Sequence, residues 1–158
     1  MNPNILAIDP GQTGGFAWTI NGETGCIKMP DTEGDVLDQL RAMRANGIER
    51  LVIEDQIGVV GPQMKVAASA MFTFGRGFGF LLGGAMALGY RIERVRPQKW
   101  QKALSLGTKK DAGGTGPWKR KLKAVAQERF PNCDVTLSTA DALLLLDFAN
   151  NANGAIGV

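Results

Sequence analysis

An unbroken apolar run, Ile5-Leu6-Ala7-Ile8, delivers Asp9 directly into Pro10-Gly11-Gln12-Thr13-Gly14-Gly15. Four apolar residues without alternation suit a strand buried on both faces, so the rest of the chain must supply a covering layer on each side. Pro10-Gly11 stops the strand abruptly and leaves Asp9 at its tip, beside open backbone. A carboxylate there is poised for metal or phosphate chemistry, although Asp before Pro-Gly also begins ordinary turns. Both readings stand on this stretch alone.

The following residues narrow the topology. Gly15 to Ile20 and Gly25 to Met29 read as short strands around Asn21-Gly22, a tight-turn signal, and make a hairpin after the first strand. From Thr32 to Asn46, Val36, Leu37, Leu40 and Met43 fall at helical spacing, and Asn46-Gly47 closes the helix. Glu49 to Glu54 is the next strand, apolar through Leu51-Val52-Ile53. A right-handed crossover through the helix lays it parallel to the first strand, so a second carboxylate arrives at the same end of the sheet. Side-chain alternation allows only one of Glu54 and Asp55 to join Asp9, and crossover geometry does not choose between them. Two converging buried carboxylates are costly without a cation, which favours Mg²⁺ or Mn²⁺.

The charge distribution suggests the partner. Of 158 residues 44% are hydrophobic, enough for the core of one globular domain spanning 1–158, and the net charge is only +3. Yet between Arg91 and Arg129 twelve basic residues face three acidic ones, Glu93, Asp111 and Glu128. That local excess fits a polyanion, whereas a solvated lysine-rich helix is the plainer account. Cys26 and Cys133 have no CxxC spacing, and Met-Asn-Pro-Asn lacks a signal-peptide pattern, so a cytoplasmic setting is expected. The apolar stretch Met71 to Tyr90 contains Arg76 and seven Gly or Thr residues and reads as a buried helix, with no membrane partner.

That helix is expected from about Met64 to Leu88, after an apolar loop from Ile57 to Gln63. Gly75, Gly79 and Gly83 share one face, and each costs about 1 kcal/mol relative to alanine. A backbone packed against the strip, within the domain or across a dimer axis, would compensate. Arg91 to Val95 alternates as a last strand, Pro97 opens a short helix to Ala103, and Ser105 to Gly116 is a Gly- and Lys-rich loop. A basic helix is expected from Pro117 to Arg129. The final helix begins at Ser138-Thr139-Ala140-Asp141, where Ser138-x-x-Asp141 matches a capping box. Capping and metal ligation both remain open for Asp141.

In chain order the residues now include Ile8-Asp9-Pro10-Gly11, Val52-Ile53-Glu54-x-Gln56, Val95-Arg96-Pro97-x-x-Trp100 and Ala140-Asp141-Ala142-Leu143. Together they resemble the RuvC-like Holliday junction resolvases of the ribonuclease H-like superfamily, and Phe72-x-Phe74-Gly75-Arg76 with the glycine-rich helix after it resembles their small phage and bacterial branch. The resemblance runs from Ile5 to about Ala149. It implies an α/β fold: a mixed five-stranded sheet, antiparallel across its first three strands and parallel beyond, with helices on both faces. It also implies a homodimer and two divalent cations, Mg²⁺ or Mn²⁺, held in each site by Asp9, Glu54 and Asp141. Glu54 is thereby preferred over Asp55. Better-known members carry another acid one turn before the last aspartate, where this chain has Ser138, so the fourth ligand lies between Ser138 and Asp134. Asp147 is about 240° round the helix from Asp141 and is no substitute. The chain has no histidine, which leaves water activation to the cations, with a lysine nearby.

On this reading four-way or other branched DNA is nicked symmetrically, leaving 5′-phosphate and 3′-hydroxyl ends. No nucleotide cofactor is involved. Lys109, Lys110, Lys119, Arg120, Lys121 and Lys123 are the candidate phosphate contacts. The apolar residue that wedges into the junction is sought among Ile57, Met64, Phe72 and Phe74. Three other readings compete. The Asp9-Pro10-Gly11 loop also resembles the phosphate loop of actin-like and sugar-kinase ATPases, but these need two lobes. A nuclease of the same fold could process flaps, forks or RNA, and Ser138 could mark a binding-only module with a degraded metal site. A phage debranching role suits a small stand-alone enzyme.

Overall fold

The computed structural model describes residues 3–55 and 67–154, of which 153–154 are described in backbone alone. Five strands form one sheet: β1 (Ile5–Asp9), β2 (Gly15–Ile20), β3 (Glu23–Lys28), β4 (Arg50–Glu54) and β5 (Arg91–Val95), in spatial order β3-β2-β1-β4-β5. β1, β2 and β3 pair antiparallel, and β4 and β5 run parallel to β1. The mixed sheet expected from the sequence is therefore present. The hairpin turn has Asn21 and Gly22 at φ 52° and 87°, the left-handed pair a two-residue turn requires. Only these two residues intervene, so β3 begins at Glu23, two positions before the expected start. Trp18 lies across its strand partner Gly25, where even a Cβ would come within 2.6 Å of the ring, and covers a glycine on an edge strand.

Helices cover both faces. On one, α1 (Glu33–Ala45) and α2 (Ala68–Ala87) enclose Leu6, Ile8, Phe16, Leu51 and Ile53. Thr32 caps α1 by accepting from the Asp35 N–H, and the Tyr90 hydroxyl ties β5 back to α1 by donating to the Leu40 carbonyl at 2.6 Å. On the other face, α3 (Pro97–Ala103), α4 (Thr115–Arg129) and α5 (Ala140–Gly154) enclose Ile5, Ala7, Ala17, Val52 and Val95. Leu143 to Leu146 in α5 are all fully buried, because the helix lies between the sheet and α3 and α4 and has no wet side. Each such leucine contributes about 1.5–3 kcal/mol by leaving water.

Three boundaries differ from the sequence expectation. α4 starts at Thr115 after Gly114, whose φ of 115° only glycine adopts easily, so Pro117 occupies the third helical position. A proline there still removes only an N–H that has no partner in the first turn. α2 is described from Ala68, and Met64 and Ile57 lie outside the described residues. α5 starts at Ala140 rather than Ser138: Thr136 and Thr139 hydrogen-bond each other's backbone N–H, at 2.9 Å and 3.3 Å, and form the cap. The capping box expected of Ser138 and Asp141 is replaced by this threonine pair, two residues upstream. No helix among the described residues is long and apolar enough to cross a membrane.

The glycine strip of α2 lacks the neighbour expected within the fold. Among the described residues, a Cβ placed at Gly75, Gly79 or Gly83 would meet nothing within 4 Å. The helix buries Phe78, Leu81 and Ala85 on its opposite side and leaves Phe72 and Met86 73% and 67% exposed. At 100° per residue Phe72, Gly79, Gly83 and Met86 fall within one narrow stripe.

Candidate active site

Strand alternation decides between the two adjacent acids. Asp9 has the parity of Ile5 and Ala7, and Glu54 the parity of Val52, all of which face α5. The register that pairs Ile8 with Ile53 brings Asp9 and Glu54 side by side as the last residues of neighbouring parallel strands. Asp55 has the parity of Ile53 and turns to the α2 side, where the Arg94 guanidinium donates to its Oδ1 at 3.2 Å and lies over the Phe78 ring. α5 then lays Asp141, in its first turn, over the same strand tips. The carboxyl-terminal ends of parallel strands are the usual place for a site in such sheets.

All three acids are nearly enclosed, with Asp9 5%, Glu54 4% and Asp141 7% exposed. Burial, reinforced by the charges of Glu54 and Asp141, pushes the Asp9 carboxyl well above its ordinary pKa, and Lys119 only partly offsets this. Two of the acids have organic partners. The Trp100 indole N–H donates to Glu54 Oε2 at 2.8 Å, and the Lys119 ammonium donates to Asp141 Oδ2 at 2.7 Å. Burial pulls the Lys119 pKa down, but Asp141, through its charge and hydrogen bond, and the charges of Asp9 and Glu54 outweigh it and leave it raised. Asp141 Oδ1 is buried with no hydrogen-bond partner.

That unpartnered acceptor is the group a hard cation would satisfy, because buried carboxylate oxygens without a donor are costly. Three carboxylates acting on one another supply the hard oxygen donors that Mg²⁺ and Mn²⁺ prefer. They are not a closed cage as they stand: among the described residues no three His, Cys, Asp or Glu side chains are gathered tightly enough to hold an ion. The donor set fits a divalent metal in kind, three carboxylates with one buried oxygen lacking a donor.

The turn after β1 keeps this pocket tight. A Cβ on Gly14 would fall 2.0 Å from the Asp9 carbonyl oxygen, and one on Gly15 would fall 2.7 Å from the Ser138 carbonyl. The two glycines thus let the turn close on Asp9 and let the residues before α5 approach it. Ser138 stands at this edge through its backbone. Asp134 is exposed, its carbonyl accepts from the Cys26 thiol and Thr139 hydroxyl, and it is not among the groups acting on Asp9. Asp147 faces away and pairs with Arg129.

The basic residues separate into two sets. Lys109, Lys110, Arg120 and Lys121 are exposed, and Lys123 is half-buried. Lys119 differs from them in placement: it lies beside the buried Trp118-Leu122-Ala126 stripe and is turned inward to Asp141. Of the wedge candidates, Phe74 is half-buried, stacks on Phe78 and contacts the Asp9-Pro10-Gly11 turn through Gly11. Phe72 is free of such packing. Sequence reasoning missed both the Lys119 and the Trp100 contacts. Trp100 had a signal, since it is a donor-only side chain one turn after a strand that borders Glu54.

No protein-family model and no curated protein sequence matches the chain. Solved structures do. A Thermus thermophilus RuvC structure in complex with Holliday junction substrate superposes with TM-score 0.63 at 14% identity, over 98% of this chain and 96% of that one. The chain has the RuvC fold. A second T. thermophilus RuvC structure gives TM-score 0.59 at 16% identity, over 95% of this chain and 96% of the other. So low an identity makes the RuvC likeness one of fold, and the chemistry has to be read from this chain's own side chains.

Proposed function

We propose that this protein is a metal-dependent endodeoxyribonuclease that recognises four-way junctions or other branched DNA and cuts them as a homodimer. The observation that carries this reading is the convergence of Asp9, Glu54 and Asp141 at the strand tips of a RuvC fold, with Asp141 Oδ1 buried and unpartnered. These carboxylates would hold Mg²⁺ or Mn²⁺, whose chemistry is to activate water and to stabilise charge on the leaving oxygen. The chain's own contribution is positional. β1 and β4 fix Asp9 and Glu54, and Lys119 neutralises Asp141 until the scissile phosphate can take its ammonium. In-line displacement then yields 5′-phosphate and 3′-hydroxyl ends.

Exposed Arg120, Lys121, Lys109 and Lys110 would carry the flanking phosphates. The bare stripe of α2 supports a two-fold partner of the same chain, which would set two sites against opposed strands. The fourth ligand, if a protein group, is better sought at Ser138 than at Asp134. One observation favours a second reading: the Lys119–Asp141 ion pair already satisfies one acid oxygen, as a binding-only module would. A panel of junction, fork and duplex DNA incubated with Mg²⁺ and with chelator distinguishes the two. Metal-dependent paired nicks confined to branched substrates are expected. Binding without cleavage at any metal concentration would establish the module instead, and equal cleavage of duplex would remove the structure selectivity.

A further inference from the structure

The motif Val95-Arg96-Pro97-x-x-Trp100 adds no acid to the strand tips, yet its tryptophan is the largest fully buried side chain among the described residues. β5 ends at Val95, the strand partner of Glu54, and the Asp55 N–H donates to the Val95 carbonyl at 2.8 Å. Pro97, at the first position of α3, then turns the chain sharply, and one helical turn later the ring stands beside Glu54. An indole N–H is a donor with no acceptor capacity, and when buried it needs a partner. Here that partner is an acid at a strand tip, 2.8 Å away.

We infer that Trp100 is a positioning residue for Glu54: it anchors Oε2 with a neutral, uncharged donor and so fixes the carboxylate rotamer that presents the group to a divalent cation. The inference rests on the nuclease reading above. The two partnered acids of the site are held in opposite ways. Lys119 is a charged group on a flexible stem, 41% exposed, and can leave Asp141 when a cation arrives. Trp100 is locked in the core, carries no charge to repel a cation, and stays. Partners of this outer kind orient a ligand and are worth about 10–100-fold in metal affinity.

The test is Mn²⁺ binding by calorimetry on the full chain without DNA, for wild type and Trp100→Phe, each with and without Glu54→Gln. Phenylalanine keeps an aromatic ring, though a smaller one, and removes the N–H. Wild type should bind Mn²⁺, Trp100→Phe should bind it about 10–100-fold more weakly, and the same change should cost nothing further in the Glu54→Gln background. With junction DNA, kcat should fall and recover at high Mn²⁺ while DNA affinity is unchanged. A purely structural tryptophan would lower the melting temperature in both backgrounds and leave the Mn²⁺ affinity of the folded protein unaltered, which overturns the inference. Failure of wild type to bind Mn²⁺ would instead remove the metal site itself and this inference with it. Should Trp100→Phe not fold, a Trp18→Phe/Trp118→Phe chain leaves Trp100 as sole emitter. A Mg²⁺-dependent change in its emission supports the contact with the metal ligand, and none at saturating Mg²⁺ contradicts it.

Discussion

The tips of β1 and β4 and the outer face of α2 are opposite solutions to the same problem. At the strand tips three acids are nearly enclosed, yet tryptophan and lysine donors hold two of them, and Asp141 Oδ1 is buried without a hydrogen-bond partner. On α2, a twenty-residue helix buries three large or small apolar residues and leaves Phe72, Met86 and a row of glycines against open space. The first region is finished by one chain except for a cation-sized need. The second is apolar surface that the described residues leave exposed, which is what the proposed two-fold partner would cover.

The largest effect that could break the comparison is at the acids. Glu54→Gln and Asp141→Asn should each reduce junction cleavage by more than the roughly 10–100-fold that outer partners cost. Asp55→Asn and Asp147→Asn should cut nearly as well as wild type, since Arg94 and Arg129 hold those side chains elsewhere. Nicking rates measured on all four variants check this, and an inactive Asp55→Asn enzyme would mean that the strand presents its other face to DNA.

Gly79→Leu sharpens the second half. Because nothing lies within 4 Å of a Cβ there, leucine should raise the stability of the isolated chain by up to about 1 kcal/mol through helix propensity. The same side chain would overpack a close helix–helix contact, at about 1–3 kcal/mol. Sedimentation velocity should therefore show loss of the dimer in a protein that melts no lower. Unchanged self-association would dissociate the glycines from assembly.

A smaller effect is expected on the exposed basic face. Neutralising Arg120 and Lys121 should weaken binding to every DNA shape and flatten the salt dependence by about 0.9 in log–log slope for each phosphate that is no longer neutralised. A full slope would show that these residues face only water. Lys119→Gln should differ from both in kind, impairing cleavage more than affinity, because the lysine addresses Asp141 rather than solvent.

The smallest effect concerns the start of α5. Ser138→Ala should change stability by less than about 0.5 kcal/mol, whereas Thr139→Ala should cost about 1 kcal/mol by removing the hydroxyl that caps with Thr136. Thermal melts of the two variants check the order. The reverse order would restore Ser138 as the cap.

What was legible in the sequence follows what is local. Ile5 to Ile8 and Leu51 to Ile53 are unalternating apolar runs, so their burial on both faces and the acids at their ends could be read directly. The choice of Glu54 over Asp55 could be reached only through the family resemblance, because parity has meaning only once Val52 is known to face α5. Lys119 and its neighbours Arg120, Lys121 and Lys123 are chemically alike in sequence. Only the buried stripe of Trp118, Leu122 and Ala126, and the arrival of α5 beside it, turns one of the four inward. The cap of α5 follows a related rule: Thr136 and Thr139 have the same spacing as Ser138 and Asp141, and tertiary packing selects between them.

Asp9→Asn tests the central claim most directly, by junction binding, cleavage and thermal melting of one protein. Asp9 is held above its ordinary pKa of 3.8 by burial and two neighbouring acids. Folding therefore opposes its ionisation, and in the metal-free protein Asp9's contribution to stability is lost as pH rises above about 4 toward its folded-state pKa. Asparagine removes that cost. The expected variant melts higher than wild type in metal-free buffer at neutral pH, with the difference vanishing in acid, binds junction DNA at least as tightly, and no longer cuts it with Mg²⁺ present. An Asp9→Asn protein that melts no higher and nicks junctions at the wild-type rate would contradict the claim that this strand-tip acid cluster is the active site.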